Sequence, residues 1–191
     1  MATFAMSEAL TIILKRNDPT AAAKQVSLTE LGSIRINKEE RTKMLKTIPR
    51  TSIIGFIIGV LPGAGATIAS FLAYGMERNL VKDEEKEKFG KGSVHGLAAP
   101  ETANNAACSG SFVPLLTLGI PGSGTTAVML GALLGFGIQP GPRLYMTNPE
   151  IFWSVIMSMY IGMVVLLILN LPLIPYIARI LAVPKNYLIP L

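Results

Sequence analysis

The stretch that decides the fold is TSIIGFIIGVLPGAGATIASFLAYGM, from Thr51 to Met76, 26 residues without a charge and interrupted at its centre by Leu61-Pro62-Gly63-Ala64-Gly65. A hydrocarbon core of about 30 Å needs about 20 helical residues at about 1.5 Å each, so the tract is long enough to cross a bilayer. Proline removes a backbone donor and the two glycines admit non-helical angles, so the helix is expected to break at its middle. If it breaks and reverses, each arm of about ten to twelve residues reaches only the midplane, as a re-entrant hairpin. Arg41, Lys43, Lys46 and Arg50 precede the tract, and Arg78, Lys82, Lys86, Lys88 and Lys91 follow it. Basic segments at span ends prefer the cytoplasm, so basic flanks on both sides favour the hairpin over a proline-kinked full crossing.

A second break stands in the charge-free run from Thr102 to Pro142. Pro62-Gly63-Ala64-Gly65-Ala66-Thr67 aligns with Pro121-Gly122-Ser123-Gly124-Thr125-Thr126 at an offset of 59 residues, keeping Pro, both Gly and the final Thr in register. Each copy follows one apolar arm and precedes another, so the context repeats with the motif. Matched interruptions of hydrophobic segments point to the binding site of a transporter.

Working outward, the chain has 191 residues, of which 50% are hydrophobic and 15% charged, with a mean hydropathy of +0.48. That is too apolar for an ordinary soluble domain of this length. One cysteine, Cys108, and one histidine, His95, allow no internal disulfide and no zinc or iron–sulfur site. The net charge of +5 gathers in the first fifty residues beside an apolar tract, which suits a membrane flank and not nucleic acid. No secretory signal opens the chain, because residues 1–14 lack a basic start and Glu8 interrupts the apolar run.

Residues 151–178 read as a plain transmembrane helix, with Trp153 and Tyr176 near its ends, Arg179 and Lys185 beyond, and Pro172 and Pro175 bending its last turns. The expected class is all-α: a polytopic membrane protein with broken or re-entrant helices at the Pro-Gly motifs, part of an inverted-repeat secondary transporter. Residues 1–50 are expected to hold a partial membrane helix end and a basic cytoplasmic loop, and residues 51–191 the membrane transport domain. Within the latter, 51–76 is the hairpin, 77–93 a charged loop, 94–142 an interrupted membrane segment, 151–178 the transmembrane helix, and 186–191 the start of a truncated segment.

Broken membrane helices expose free N–H groups at one arm's start and free carbonyls at the other's end, which attract anions and coordinate cations respectively. Pro62, Gly63, Gly65, Pro121, Gly122 and Gly124 are therefore expected to let a ligand approach the main chain, with Thr67, Ser123, Thr125 and Thr126 supplying hydroxyls. The competing reading, that small residues merely permit close helix packing, does not by itself require paired Pro-Gly breaks. Glu101, Asn104 and Asn105 form another polar concentration, read either as ligands of substrate or cation or as an interfacial turn near a helix N-terminus. A sodium ion would use Thr67, Asn104, Asn105 and Thr125. His95 is read as a loop or interface residue, Cys108 as a small packing residue, and residues 83–88 as solvated helical surface. Gly122-Ser123-Gly124-Thr125-Thr126 lacks the Gly-Lys-Ser/Thr of a phosphate loop, and no nucleophile–base or paired-carboxylate arrangement suggests an enzyme.

The run Gly59-Val60-Leu61-Pro62-Gly63-Ala64-Gly65-Ala66, then Phe89-Gly90, Gly96, Ala98-Ala99-Pro100-Glu101 and Asn104-Asn105-Ala106, then Pro114 through Ser123 and Gly137 through Pro142, closely resembles the large membrane subunit of tripartite tricarboxylate transporters, the TctA family. The resemblance extends over essentially the whole chain, including Phe4-Ala5-Met6-Ser7-Glu8, and matches much of the second half of longer members. It implies a multi-pass permease of the bacterial inner membrane for citrate-like or other carboxylates. Its implied partners are a small TctB-like membrane subunit, a periplasmic TctC-like solute-binding protein and the lipid bilayer, with sodium or a proton as coupling ion, no other cofactor and no nucleic acid. The alternatives are a non-transporting structural or assembly fragment and a passive channel. With no basic residue in the central apolar tracts, backbone dipoles and bound cations would neutralise the carboxylate, Arg143 being a weaker candidate.

Overall fold

A computed structural model describes residues 36–180, which divide along the chain into two compact units, the boundary falling between Ser158 and Met159. The described residues contain helices and no strand: α1 (Lys38–Val60), α2 (Gly65–Leu80), α3 (Asp83–Lys86), α4 (Val94–Gly110), α5 (Phe112–Leu118), α6 (Gly124–Gly135), α7 (Leu144–Thr147) and α8 (Pro149–Ile180). The helix end expected within residues 1–35 and the segment expected at 186–191 lie outside the described residues.

α1 starts where the Asn37 N–H donates to Glu40 Oε2 at 2.8 Å, the reach-back of a capping box. It continues through Pro49 to Val60, so the expected boundary at residue 50 falls inside a helix, and the basic run Arg41 to Arg50 is helical. The helix stops at Leu61, where the Pro-Gly turn begins: Ala64 N donates to Leu61 O at 3.2 Å, and Gly63 and Gly65 take φ of +83° and +69°. Such angles strain any residue with a Cβ, so both glycines are there for conformation. The chain then reverses. An uninterrupted helix would hold Arg50 and Glu77 about 40 Å apart, yet Arg50 Nε donates to Glu77 Oε2 at 2.7 Å.

α4 packs on both arms of this hairpin, and the three helices meet along stripes of small residues spaced by four. The buried positions of α1 are Thr47, Thr51, Gly55 and Gly59; those of α2 are Ala69, Ala73 and Glu77. α4 answers with His95, Ala99, Ala103 and Ala107. A Cβ on Gly55 would lie 2.6 Å from Ala103 Cα, and one on Gly59 2.6 Å from Ala107 Cα, so the backbones of α1 and α4 touch directly. The outward faces are the apolar ones: Ile53, Phe56, Ile57, Phe71 and Leu72 are exposed. Small residues inside and large apolar ones outside is how helices associate where the surrounding solvent is itself apolar.

A second cluster gathers Leu116, Leu144 and Val155, with Phe112, Met129 and Ile138 against it. α8 begins in this unit and supplies all the described part of the other. Its stretch Pro149–Ile174 is the one described helix long and apolar enough to cross a membrane, and it is almost wholly exposed. Pro172 and Pro175 lie within α8, which remains helical through both.

Candidate functional site

The two Pro-Gly breaks line one cleft of about 620 Å³. From the hairpin tip come Gly63, Gly65, Ala66 and Thr67; from the second break come Pro121 through Ala127; Cys108, Ser111 and Phe112 form the wall between them. Among the described residues, no charged side chain reaches the lining.

The second break joins the first by doubling back. α5 ends at Gly119, whose φ of +70° terminates the helix in the left-handed region. The following residues return along α5, so that Gly122 comes against Ser111: a Cβ there would stand 3.0 Å from Ser111 Cβ and 3.4 Å from Gly59 O. Ser123 then caps α6. Its Oγ accepts from Thr126 N at 3.3 Å, and Thr126 Oγ1 accepts from Ser123 N at 2.8 Å. The aligned hexapeptides therefore differ in backbone. Gly63 and Gly65 have positive φ, whereas Gly122 and Gly124 do not, because the first motif makes a tight reversal and the second an extended return.

The helix ends at the cleft present donors in two ways. α2 begins after Ala64 with no side-chain cap, leaving its first N–H groups, at Gly65, Ala66 and Thr67, open to the cleft. Left-handed Gly63, right-handed Ala64 and left-handed Gly65 alternate in sign of φ, the pattern by which successive N–H groups turn toward a common anion. At α6, Thr126 N is taken by the Ser123 cap, while Gly124 and Thr125 precede the first N–H with an intrahelical acceptor. Both helices direct their positive ends to the same space.

The hydroxyls divide likewise. Thr126 is buried, and its Oγ1 donates to Ser123 O at 2.9 Å, so it serves the cap. Thr67 and Thr125 are exposed in the cleft, and neither hydroxyl has a hydrogen-bond partner among the described residues. Pro62 shapes the turn and is not part of the lining, while Pro121 is.

Glu101, Asn104 and Asn105 lie outside that lining. α4 turns Ala99, Ala103 and Ala107 onto the hairpin, which sends Glu101 and Asn105 outward, both exposed. Asn105 Nδ2 donates to Glu101 O at 2.9 Å, and Asn104 Oδ1 accepts from Cys108 Sγ at 3.8 Å, placing Asn104 one turn from the cleft wall. Arg143 is exposed at the start of α7 and also lies away from the cleft. Among the described residues no group of three or more His, Cys, Asp or Glu could hold a metal.

His95 differs from its reading as a loop or interface residue. It is buried in the first turn of α4, with Nδ1 2.7 Å from Thr47 Oγ1 and 3.0 Å from Glu77 Oε1. Glu77 is fully buried and also receives the Thr47 hydroxyl at 2.8 Å and both Arg50 contacts. Composition gave no hint of this knot. The spacing of four that links Glu77 to Ala73 and Ala69, and His95 to Ala99 and Ala103, does carry the signal.

Residues 83–88, which hold the short α3 and the turn after it, are more than solvated surface. Lys43 of α1 bonds Glu85 at 3.1 Å, and Lys88 bonds it at 2.6 Å. Those hydrogen bonds, Lys88's first and Lys43's second, hold the Glu85 carboxyl below the usual carboxylate range.

A family model described as the tripartite tricarboxylate transporter TctA family matches residues 1–191. Two relatives from Agrobacterium vitis are similar. One is an uncharacterized 52.8 kDa protein of the TAR-I ttuC' 3' region, 42% identical over 175 residues that make up 92% of this chain and 34% of that protein. The other is an uncharacterized protein of the TAR-II ttuC' 3' region, 48% identical over 136 residues, 71% of this chain and 55% of that protein. The chain thus spans about a third of one relative and about half of the other. No solved structure matches. The chain belongs to the tripartite tricarboxylate transporter TctA family.

Proposed function

We propose that this chain forms part of a permease for ion-coupled uptake of tricarboxylates or related carboxylates across the bacterial inner membrane. The observation that carries the reading is the convergence of both Pro-Gly breaks, and of the starts of α2 and α6, on one cleft lined by no charged side chain among the described residues. A carboxylate there would be met by main-chain N–H groups, chiefly those of Gly65, Ala66 and Thr67, and by the positive ends of two helices. A co-transported cation such as sodium would complete the neutralisation, using the open hydroxyls of Thr67 and Thr125 and nearby carbonyls. Asn104, one turn from Cys108, flanks the site; Glu101 and Asn105 are left out of the proposed contact set. No covalent step is involved.

In this reading the hairpin of residues 51–76 is re-entrant. The charge-free part of each arm within residues 51–76 is too short for a complete crossing, and Arg50 and Glu77 bring the two ends to the same level. A periplasmic binding protein delivers the carboxylate, a small membrane subunit completes the assembly, and movement of the helices around the cleft exposes the site inward.

The test is uptake of labelled citrate and related carboxylates into proteoliposomes holding the full-length transporter. Gly63→Trp and Gly124→Trp should each abolish uptake while the protein still inserts and purifies. Normal uptake in both would remove the cleft from the transport pathway. A passive pore would show uptake that persists after the sodium and proton gradients are collapsed.

A further inference from the structure

We propose that the outward face of α4 from Glu101 to Ser109 is a water-lined approach by which a small monovalent cation reaches the cleft, with Glu101 at its mouth. The cation's part in transport rests on the function proposed above; the approach itself rests on the polar face and its junction with the cleft.

Glu101, Asn104, Asn105, Cys108 and Ser109 follow one another at i, i+3, i+4, i+7 and i+8, so they share one face of α4. The opposite face, through Ala99, Ala103 and Ala107, is buried on the hairpin. Glu101, Asn105 and Cys108 are exposed, and Asn104 and Ser109 half-buried. The exposed faces of α1 and α2 carry Ile53, Phe56, Ile57, Phe71 and Leu72 instead. Those suit lipid. A carboxylate and two amides within a membrane segment do not, and such groups face water or protein.

The hydrogen bonds along this face set its sign. Asn105 Nδ2 donates to Glu101 O at 2.9 Å, Ser109 Oγ to Asn105 O at 3.3 Å, and Cys108 Sγ to Asn104 Oδ1 at 3.8 Å, so three donors are turned back onto the helix. The Glu101 carboxylate and Asn105 Oδ1 have no hydrogen-bond partner among the described residues and are left as open oxygens. Open oxygens beside one negative charge attract a cation and repel a carboxylate. Cys108 belongs both to this face and to the cleft lining, where the open hydroxyls of Thr67 and Thr125 also stand. Glu101 lies about 10 Å along α4 from Cys108. Leu97, one turn before Glu101, is exposed and apolar, so the polar face runs from Glu101 toward the cleft and not away from it.

The measurement is the modification rate of Cys108 in the full-length transporter in nanodiscs, with any cysteine outside this chain replaced. Glu101→Gln should slow a cationic, trimethylammonium-bearing methanethiosulfonate at least about fivefold, while the rate with neutral N-ethylmaleimide stays unchanged. Glu101→Asp should restore the cationic rate. An unchanged cationic rate, equal slowing of both reagents, or a Cys108 that reacts with neither overturns the proposal. In a Cys108→Ala background, Asn105→Cys and Ser109→Cys should react with the cationic reagent at least about tenfold faster than Ile53→Cys and Phe71→Cys. Rates as slow as at those two positions would show the face to be covered and overturn the approach. Citrate should protect Cys108 in Glu101→Gln as in the unaltered protein. If neither citrate nor any related carboxylate protects it in either, the cleft reading fails, and the two reagent comparisons still decide the approach.

Discussion

Gly122 rests against Ser111, so closely that a Cβ on the glycine would stand 3.0 Å from the serine Cβ. This contact brings the second Pro-Gly break beside the first, since the same position is 3.4 Å from the carbonyl oxygen of Gly59, two residues before the hairpin turn begins. Gly122→Ala should therefore destabilise the protein by about 1–3 kcal/mol through overpacking and lower carboxylate affinity with it. Thermal unfolding in detergent checks the first effect, and ligand binding the second. Gly124→Ala, where no described residue lies within 4 Å, is the matched control and should leave stability nearly unchanged.

Gly63 and Gly65 have no described residue within 4 Å of an added Cβ, but their φ is positive. Alanine at either position should cost about 1–2 kcal/mol of stability through backbone strain alone. Gly75, inside α2 with open space and no positive φ, should behave oppositely: Gly75→Ala should stabilise by about 0.5–1 kcal/mol. Equal effects at Gly63 and Gly75 would show that the turn is not held in the left-handed region.

Arg50 and Glu77 close the open end of the hairpin, and Glu77 has no exposure. Arg50→Met should destabilise by about 3 kcal/mol, because it leaves a buried carboxylate short of its charged donor. The double variant Arg50→Met with Glu77→Leu should recover much of that loss. Unfolding free energies of the three variants give the comparison, and a double variant worse than the sum of the singles would contradict this account of the pair.

Glu85 ties α3 to α1 through Lys43. Its carboxyl is held below its ordinary value by Lys88 and Lys43, so the tie is at full strength above the unfolded value of about 4.3 and is lost as pH falls through the lower folded value. Hydrogen exchange around residues 83–88 should be flat from about pH 8 to about pH 5, after correction for intrinsic rates, and rise only below about pH 4. Lys43→Met should raise the exchange already at neutral pH.

Much of this arrangement is legible in the sequence, and for physical reasons. Pro62-Gly63 can be read as a break because proline and glycine act locally, and the Arg50–Glu77 contact shows that the chain reverses there. The likeness of the two hexapeptides marks the segments that line the cleft. It does not reveal that one is a tight turn and the other an extended return, since the latter depends on Ser111 and Gly59 meeting Gly122 from elsewhere in the chain. Thr126 looks like a ligand hydroxyl in sequence and proves to be a cap, because a hydroxyl three residues after Ser123 can bond back to its N–H. Glu101 and Asn105 look prominent because they are polar in an apolar run, yet the helix turns them away from the cleft. His95 and Glu77 are hidden for the opposite reason: both sit beside the charged island, and only their spacing of four with the buried alanines shows which way they face.

The central claim, that the tips of the two breaks form the carboxylate site, is tested most directly at Cys108. It is exposed, it is the chain's only cysteine, and it lines the cleft. The measurement is its alkylation rate in the full-length transporter, with any cysteine outside this chain replaced, across a series of citrate and related carboxylate concentrations. The account predicts saturable protection of at least about tenfold by a transported carboxylate, lost in Gly63→Trp. Alkylation at an unchanged rate under carboxylate concentrations that saturate transport would contradict it.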